Sequence, residues 1–371
     1  MATREMPNKL KNLLENGANV YSISRINAID QCLYQAYNTY ILNKRGMNNV
    51  YGILGSRIHD VLEKIINGEA TASDLYPALN SELEDLDMLS LNFPKDMKGN
   101  DTIRTNWIAD MTHFCENFQK PEGRFSTEEL VLYKLKDNRY IQGYIDLIRY
   151  NDDGTISIFD WKTSSKFNKS DLLHHGRQLI FYALAKEAEG YIVRDVAWYM
   201  MKYVEVSYMG KKRANSKAES LITKVVNRGK IVRELKENIK TDLFNLGYEE
   251  IDIEFLIDEA LEKNSLDCLP KEIINKYKIS PYIQNYDLTE DLKRECLEYI
   301  NSRADLFEGL DTSNPDDFPP MKFTKVNSKG QEVDDTFFCS ALCSHRNTCK
   351  HLLDYRNMKN LKDDNWESNL F

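Results

Sequence analysis

Two apolar runs joined by a turn cluster constrain this chain more than any other feature. Tyr140 to Tyr150 and Thr155 to Trp161 are rich in β-branched and aromatic residues, and Asn151-Asp152-Asp153-Gly154 separates them. That composition predicts an antiparallel hairpin, with a further strand before it over Leu130 to Leu135. The first run carries Gly143-Tyr144-Ile145-Asp146, and the second closes on Asp160-Trp161-Lys162-Thr163. Residues i and i+2 of a strand share a face, so Asp160 and Lys162 point the same way. Two carboxylates and an ammonium then converge at one edge of the hairpin. Carboxylates so placed hold Mg²⁺ or Mn²⁺, and a neighbouring lysine serves an attacking water or a charged phosphate. An Asp-x-Lys by itself is also common as an ordinary surface pair, so the weight falls on what accompanies it.

Upstream, Gly55-Ser56-Arg57-Ile58-His59 opens a segment whose apolar residues Ile58, Val61, Leu62, Ile65 and Ile66 follow helical spacing. His59 and Glu63 lie four apart and share a face, although a lone helical histidine is more often structural than a ligand. Downstream, Ser170 reads as the N-cap of a helix that runs to about Glu189 and stops at Gly190. It carries Gln178 and Tyr182, again four apart.

The order G-x-x-x-H-x-x-x-E, G-x-x-D, D-x-K-T and Q-x-x-x-Y resembles the RecB-like branch of the PD-(D/E)xK nucleases. The motifs span Gly55 to Glu63, Gly143 to Asp146, Asp160 to Thr163 and Gln178 to Tyr182, and the resemblance covers about Val20 to Val206 before resuming near the C-terminus. It implies that His59, Asp146 and Asp160 are metal ligands, joined by the Trp161 carbonyl. Lys162 would be the catalytic lysine, and Gln178 and Tyr182 would position DNA or that lysine. Glu128 or Glu129 would be the extra acid that some members use. Asp160 stands where many members carry Glu.

Seven cysteines are present: Cys32, Cys115, Cys268, Cys296, Cys339, Cys343 and Cys349. The odd count, with no signal peptide over Met1 to Leu10, argues against a secreted disulfide framework and for a cytoplasmic protein, in the host cytoplasm if phage-encoded. Cys339-x3-Cys343-x5-Cys349 is a cluster of the kind that binds metal in a reducing compartment. Ser22-x-Ser24-Arg25, followed by Cys32 and Tyr37, resembles the N-terminal segment of the family's iron–sulfur members, such as the AddB nuclease domain and the CRISPR-associated exonucleases. The resemblance implies a 4Fe-4S cluster on Cys32, Cys339, Cys343 and Cys349, for which four thiolates are chemically suited. Two departures keep a zinc site open, with His345 or His351 closing the C-terminal trio. The first gap of the trio is three residues rather than the usual two, and Leu33 stands where proline commonly follows the first cysteine. Cys115, Cys268 and Cys296 read as buried or incidental thiols.

The formal net charge is −9, which does not advertise nucleic-acid binding. Field depends on distribution rather than sum, however. From Lys211 to Lys240 the chain is basic, led by Lys211, Lys212 and Arg213 and including Arg228, whereas Glu249 to Glu262 is acidic. The basic run is either a DNA contact or a solvated helix face. No apolar run approaches the length that spans a bilayer.

The expected architecture is α/β: a restriction-endonuclease-like core with a central mixed sheet flanked by helices, plus a helical insertion and an iron–sulfur cluster. Residues 1–19 read as a polar lead-in, 20–125 as a helical part with Cys32 and His59, and 126–206 as the core sheet and motif helix. Residues 207–320 read as a charged helical insertion and linker, and 321–371 as the cysteine cluster and tail. The expected activity is Mg²⁺- or Mn²⁺-dependent DNA hydrolysis, exonucleolytic on single-stranded or frayed ends by the resemblance. The alternatives are a non-catalytic DNA-end-binding or adaptor protein, or a structure-specific endonuclease. Protein partners in recombination, phage replication or CRISPR adaptation fit equally.

Overall fold

The computed structural model describes residues 6–96, 98–210 and 220–359. The chain opens with α1 (Asn8–Glu15), β1 (Asn19–Ser22), α2 (Ile23–Gln31) and α3 (Leu33–Ala36), then α4 (Val50–Asn67), α5 (Leu75–Met88) and α6 (Thr102–Asn117). Strands β2 (Arg124–Lys134), β3 (Arg139–Tyr150) and β4 (Ile156–Lys162) follow, then α7 (Leu172–Ala188) and the long β5 (Val193–Gly210). Next come β6 (Ser220–Asn227), α8 (Ile231–Asn245), α9 (Glu250–Lys263), α10 (Lys271–Ile274), β7 (Lys278–Tyr286) and α11 (Glu290–Glu308). The last elements are β8 (Thr324–Val326), β9 (Glu332–Asp334) and α12 (Lys350–Lys359).

Seven strands form one mixed sheet. The expected hairpin is β3 and β4, antiparallel, with β2 antiparallel along the other edge of β3. Strands β1 and β4 share one edge of β3: β1 pairs as far as Gln142, and β4 begins at Leu147. The sheet therefore splits between these points, and Asp146 stands at the split. Side-chain alternation also breaks here, because Ile145 and Ile148 enter one core while Leu147 enters the other.

Those two cores explain the layers. On one side Leu179, Ile180 and Ala183 of α7 pack with Ile26 and Ile29 of α2 and with Ile300 and Ala304 of α11. On the other side α4, α5 and α6 pack together over Leu147, Trp161 and Met201. In α4 the buried residues Val50, Leu54, Ile58, Val61, Leu62, Ile65 and Ile66 follow the helical period. Each such side chain contributes about 1.5–3 kcal/mol of burial, far more than helix propensity can. Helix α7 lies close to β3 because residue 143 is glycine. A Cβ there would come within 2.7 Å of Tyr182 and 2.8 Å of Phe181.

Within the polar lead-in, Asn8 to Glu15 is helical. Two expectations need correction. The segment read as a helical insertion also supplies β6 and β7, both paired with β5, and α11 packs back onto the core. Pro281 in β7 is tolerated because, among the described residues, β7 pairs only with β5. The N-cap of α7 is Asp171, and the Ser170 hydroxyl instead donates to the Asp171 carboxylate at 2.9 Å. Gly190, with φ +93°, does follow the end of α7.

Candidate active site

Continuing the strand registers by one residue puts Glu128 across from Asp146, and Asp146 across from Asp160. Three acids on three adjacent strands thus form a row at the split, although the group whose ligand atoms lie close together is His59, Glu128 and Asp146, without Asp160. Glu128 breaks the ladder, because its φ of +49° lies in the left-handed region that glutamate rarely adopts. Strain of this kind persists only where the surroundings over-determine it.

Helix α4 brings His59 to the same point. Its Nδ1 lies 3.7 Å from Asp146 Oδ2, and its ring meets Trp161 edge-on, with centroids 5.6 Å apart. Ligand atoms of His59, Glu128 and Asp146 all lie within 4.8 Å of one another. The farthest pair of oxygens on one Mg²⁺ is about 4.2 Å apart, so the set needs little contraction to close on an ion. The Trp161 backbone N–H donates to Asp146 Oδ2 at 2.7 Å, filling the gap left where β3 and β4 part.

Lys162 forms an ion pair with Asp160 and donates to Gln178 Oε1 at 3.3 Å. Gln178 Nε2 in turn donates to the Tyr182 hydroxyl oxygen at 2.9 Å. The i, i+4 spacing on α7 thus serves a relay that fixes the ammonium. Burial opposes charge on Lys162, but Asp160 and Asp146 more than offset it and hold its pKa up. Burial, reinforced by Asp160, pushes Asp146 well above the usual carboxylate range; Lys162 and the Trp161 N–H pull the other way. Burial and the Lys162 charge lower His59 to about 4, so its imidazole is neutral and free to ligate. A buried carboxylate whose ionisation is opposed by other acids, beside a neutral imidazole, suits a hard divalent cation.

A family model for the PD-(D/E)XK nuclease superfamily matches residues 20–350. The chain belongs to the PD-(D/E)XK nuclease superfamily. Members of this superfamily are typically metal-dependent nucleases. No curated protein matches the chain. Among solved structures, the crystal structure of SSO0001 matches at 16% identity over 69% of this chain and 84% of that one, with a TM-score of 0.23.

In this superfamily member the carboxylate of Glu128, and not that of Glu129, stands beside His59 and Asp146. Glu129 accepts from Lys186 Nζ at 2.6 Å. Lys186 is 1% exposed and also donates to Glu189 at 2.7 Å. Adjacent strand residues point to opposite faces, but that rule alone does not say which acid reaches Asp146.

The four expected cysteines also gather. All are buried, and Cys32, Cys343 and Cys349 act electrostatically on Cys339. Burial, with this mutual repulsion, pushes Cys339 up to about 12, and burial raises Cys343 to about 11. Backbone N–H groups point at the sulfurs: Met321 at Cys32 and His345 at Cys343, both at 3.4 Å, and those of Leu352 and His351 at Cys349. Mutual repulsion between buried thiols with N–H donors aimed at them fits a site for metal-bound thiolate. Among the described residues, no three of these thiols have sulfurs within 4.8 Å of one another. A zinc tetrahedron needs about 3.8 Å between sulfurs. His345 Nε2 is hydrogen-bonded to Thr39 Oγ1 at 2.9 Å, and His351 sits edge-on to Tyr34.

Lys211, Lys212 and Arg213 lie outside the described residues. Farther along the basic run, Arg228 is no surface cation: it is 5% exposed and stacks over Phe114. Cys115 and Cys296 are buried, as expected, and Cys268 is half-buried. No described helix is long and apolar enough to cross a membrane.

Proposed function

We propose that the chain is a deoxyribonuclease that hydrolyses phosphodiester bonds with Mg²⁺ or Mn²⁺ and trims single-stranded or frayed ends. The observation that carries the reading is the row Glu128, Asp146 and Asp160 flanked by His59 and Lys162. His59, Glu128 and Asp146 would hold the ion, with Asp160 and the Trp161 carbonyl completing the set. When bound, the ion lowers the pKa of a water and neutralises charge on the phosphate. Lys162, kept cationic by Asp160 and Asp146, orients the attacking water and donates to a phosphate oxygen. Gln178 and Tyr182 hold the ammonium in place, and Asp146 is itself held by the Trp161 N–H. The end preference comes from the RecB-like resemblance, as does a structural 4Fe-4S cluster on Cys32, Cys339, Cys343 and Cys349. The hydrogen bond that already occupies His345 Nε2 supports a cluster on four cysteines over zinc closed by that histidine.

The test uses contaminant-free wild type, Asp160→Asn and Lys162→Ala on end-labelled linear single strands, closed circles and RNA. Ion-dependent shortening of the linear DNA alone, lost in both variants, is expected. Cutting of circles would replace the end-trimming reading with an endonuclease. Wild-type cleavage by either variant would remove the catalytic assignment.

A further inference from the structure

The turn after β4 and the first turn of α7 hold groups that the reaction described above does not use. His175 lies three residues before Gln178 on α7, so the two share a face. Gln178 accepts from Lys162 Nζ, so the face that carries His175 is the one turned towards the catalytic lysine. Phe167 stacks on that ring, with centroids 3.9 Å apart and planes at 20°. Phe167 is itself fixed. Gln284 of β7 accepts from its backbone N–H at 3.2 Å and donates to its carbonyl at 3.0 Å. Its ring also meets the fully buried Trp198 edge-on at 4.8 Å.

The plane of the imidazole is therefore set by an aromatic ring, a neighbouring strand and a side-chain amide. Its ring contacts among the described residues are with Phe167 and His174. Neither ring nitrogen has a hydrogen-bond partner there. Burial, with His174 and Lys162, lowers its pKa to about 4, so it stays neutral and keeps one N–H to give. Ser164 and Lys166 are exposed on the same turn. Lys166 lies 5.8 Å from the Tyr203 ring and has no carboxylate partner among the described residues. A packing histidine has no need of this framework, whereas a donor aimed at a ligand does.

We propose that His175, with Ser164 and Lys166 of the turn that carries Phe167, forms a subsite for a backbone phosphate adjacent to the scissile one. The proposal rests on the nuclease reading and names a feature of its substrate: a strand carrying more than one phosphodiester. The imidazole N–H and the Ser164 hydroxyl would donate to non-bridging oxygens, and Lys166 would supply charge.

The experiment compares full-length wild type, His175→Ala and Lys166→Ala on a long single-stranded oligonucleotide and on a dinucleoside monophosphate, which has only the scissile phosphate. Strand affinity is measured with Ca²⁺ in place of Mg²⁺. His175→Ala should lower kcat/KM on the oligonucleotide roughly 10- to 100-fold, the worth of one hydrogen bond to a charged group, mostly through KM. Its rate on the dinucleoside monophosphate, its ion half-saturation and its melting temperature should match wild type. Added imidazole should restore part of the loss. Lys166→Ala should lower the log–log salt slope of binding by about 0.7. Equal losses on both substrates, or none on the oligonucleotide, would overturn the subsite. If wild type cleaves neither substrate the nuclease reading falls, and oligonucleotide affinity still decides this one: an unchanged affinity in His175→Ala refutes it.

Discussion

Replacing Glu128 by glycine should make the protein more stable and at the same time impair its ion binding. At φ +49° a side chain costs roughly 1–2 kcal/mol that glycine does not. Removing the carboxylate opposite Asp146 relieves a like-charge pair across strands, worth roughly 0.2–1 kcal/mol. Against this, glycine in a strand loses more chain entropy, roughly 0.5–1 kcal/mol. The balance is a gain of roughly 1 kcal/mol. Urea unfolding in EDTA measures it without any contribution from bound ion. Glu128→Ala is the control: it removes the charge and keeps the Cβ, so its gain should be smaller, and the difference between the two variants isolates the backbone strain. Mn²⁺ titration followed by electron paramagnetic resonance should show affinity at least about ten-fold weaker in both, about 1.4 kcal/mol. A glycine variant less stable than wild type in EDTA would refute the strain argument. Unchanged Mn²⁺ affinity would remove Glu128 from the metal site.

Three further outcomes follow from the same structure. Glu129→Gln leaves the buried Lys186 ammonium with Glu189 alone, so it should lose about 1.5–3 kcal/mol in urea unfolding while Mn²⁺ affinity stays at the wild-type value. Cys32→Ala purified without air should lose the iron complement and the brown colour expected of a cubane, about four irons per chain, and should melt lower; a variant that keeps its full metal content, zinc above all, would refute the shared cluster. Burial and Arg228 lower His113 from 6.5 to about 4, so the unfolded chain takes up a proton in that window that the folded chain refuses. Stability should therefore fall as pH drops from 6.5 towards 4, and His113→Asn should make that slope shallower by up to about one proton.

Much of the fold and of the site was legible in the sequence. The hairpin showed because β3 and β4 bury apolar residues at strand spacing around a turn whose composition matches its geometry. The helix of His59 showed because α4 buries one face, and that of Gln178 showed by its stop at Gly190, since α7 buries Leu179 to Ala183 without a break. Glu128 could not be told from Glu129, because the backbone turns left-handed at that residue and alternation breaks at the facing Asp146. Strands β6 and β7 were hidden for a different reason: the burial of β6 does not alternate, and β7 is interrupted by Pro281 and precedes the charged α11. His175 and Phe167 left no pattern at all. Their partnership depends on Gln284, more than a hundred residues away, and only tertiary structure brings that amide to the turn.

The gathering of Cys32 with Cys339, Cys343 and Cys349 also imposes an order on biosynthesis. A ribosome adding roughly 5–20 residues per second reaches Cys349 about 16–63 s after Cys32. Residues 59 to 182, which carry every proposed catalytic side chain, are translated well inside that interval. The nascent chain thus holds its cutting residues long before its first cysteine can meet the other three. Until then the four-cysteine site is incomplete, so the proposed cluster would be delivered last. Oxidative stress or metal starvation during synthesis would then strike this protein before it is finished, at a residue that is buried once the fold has closed.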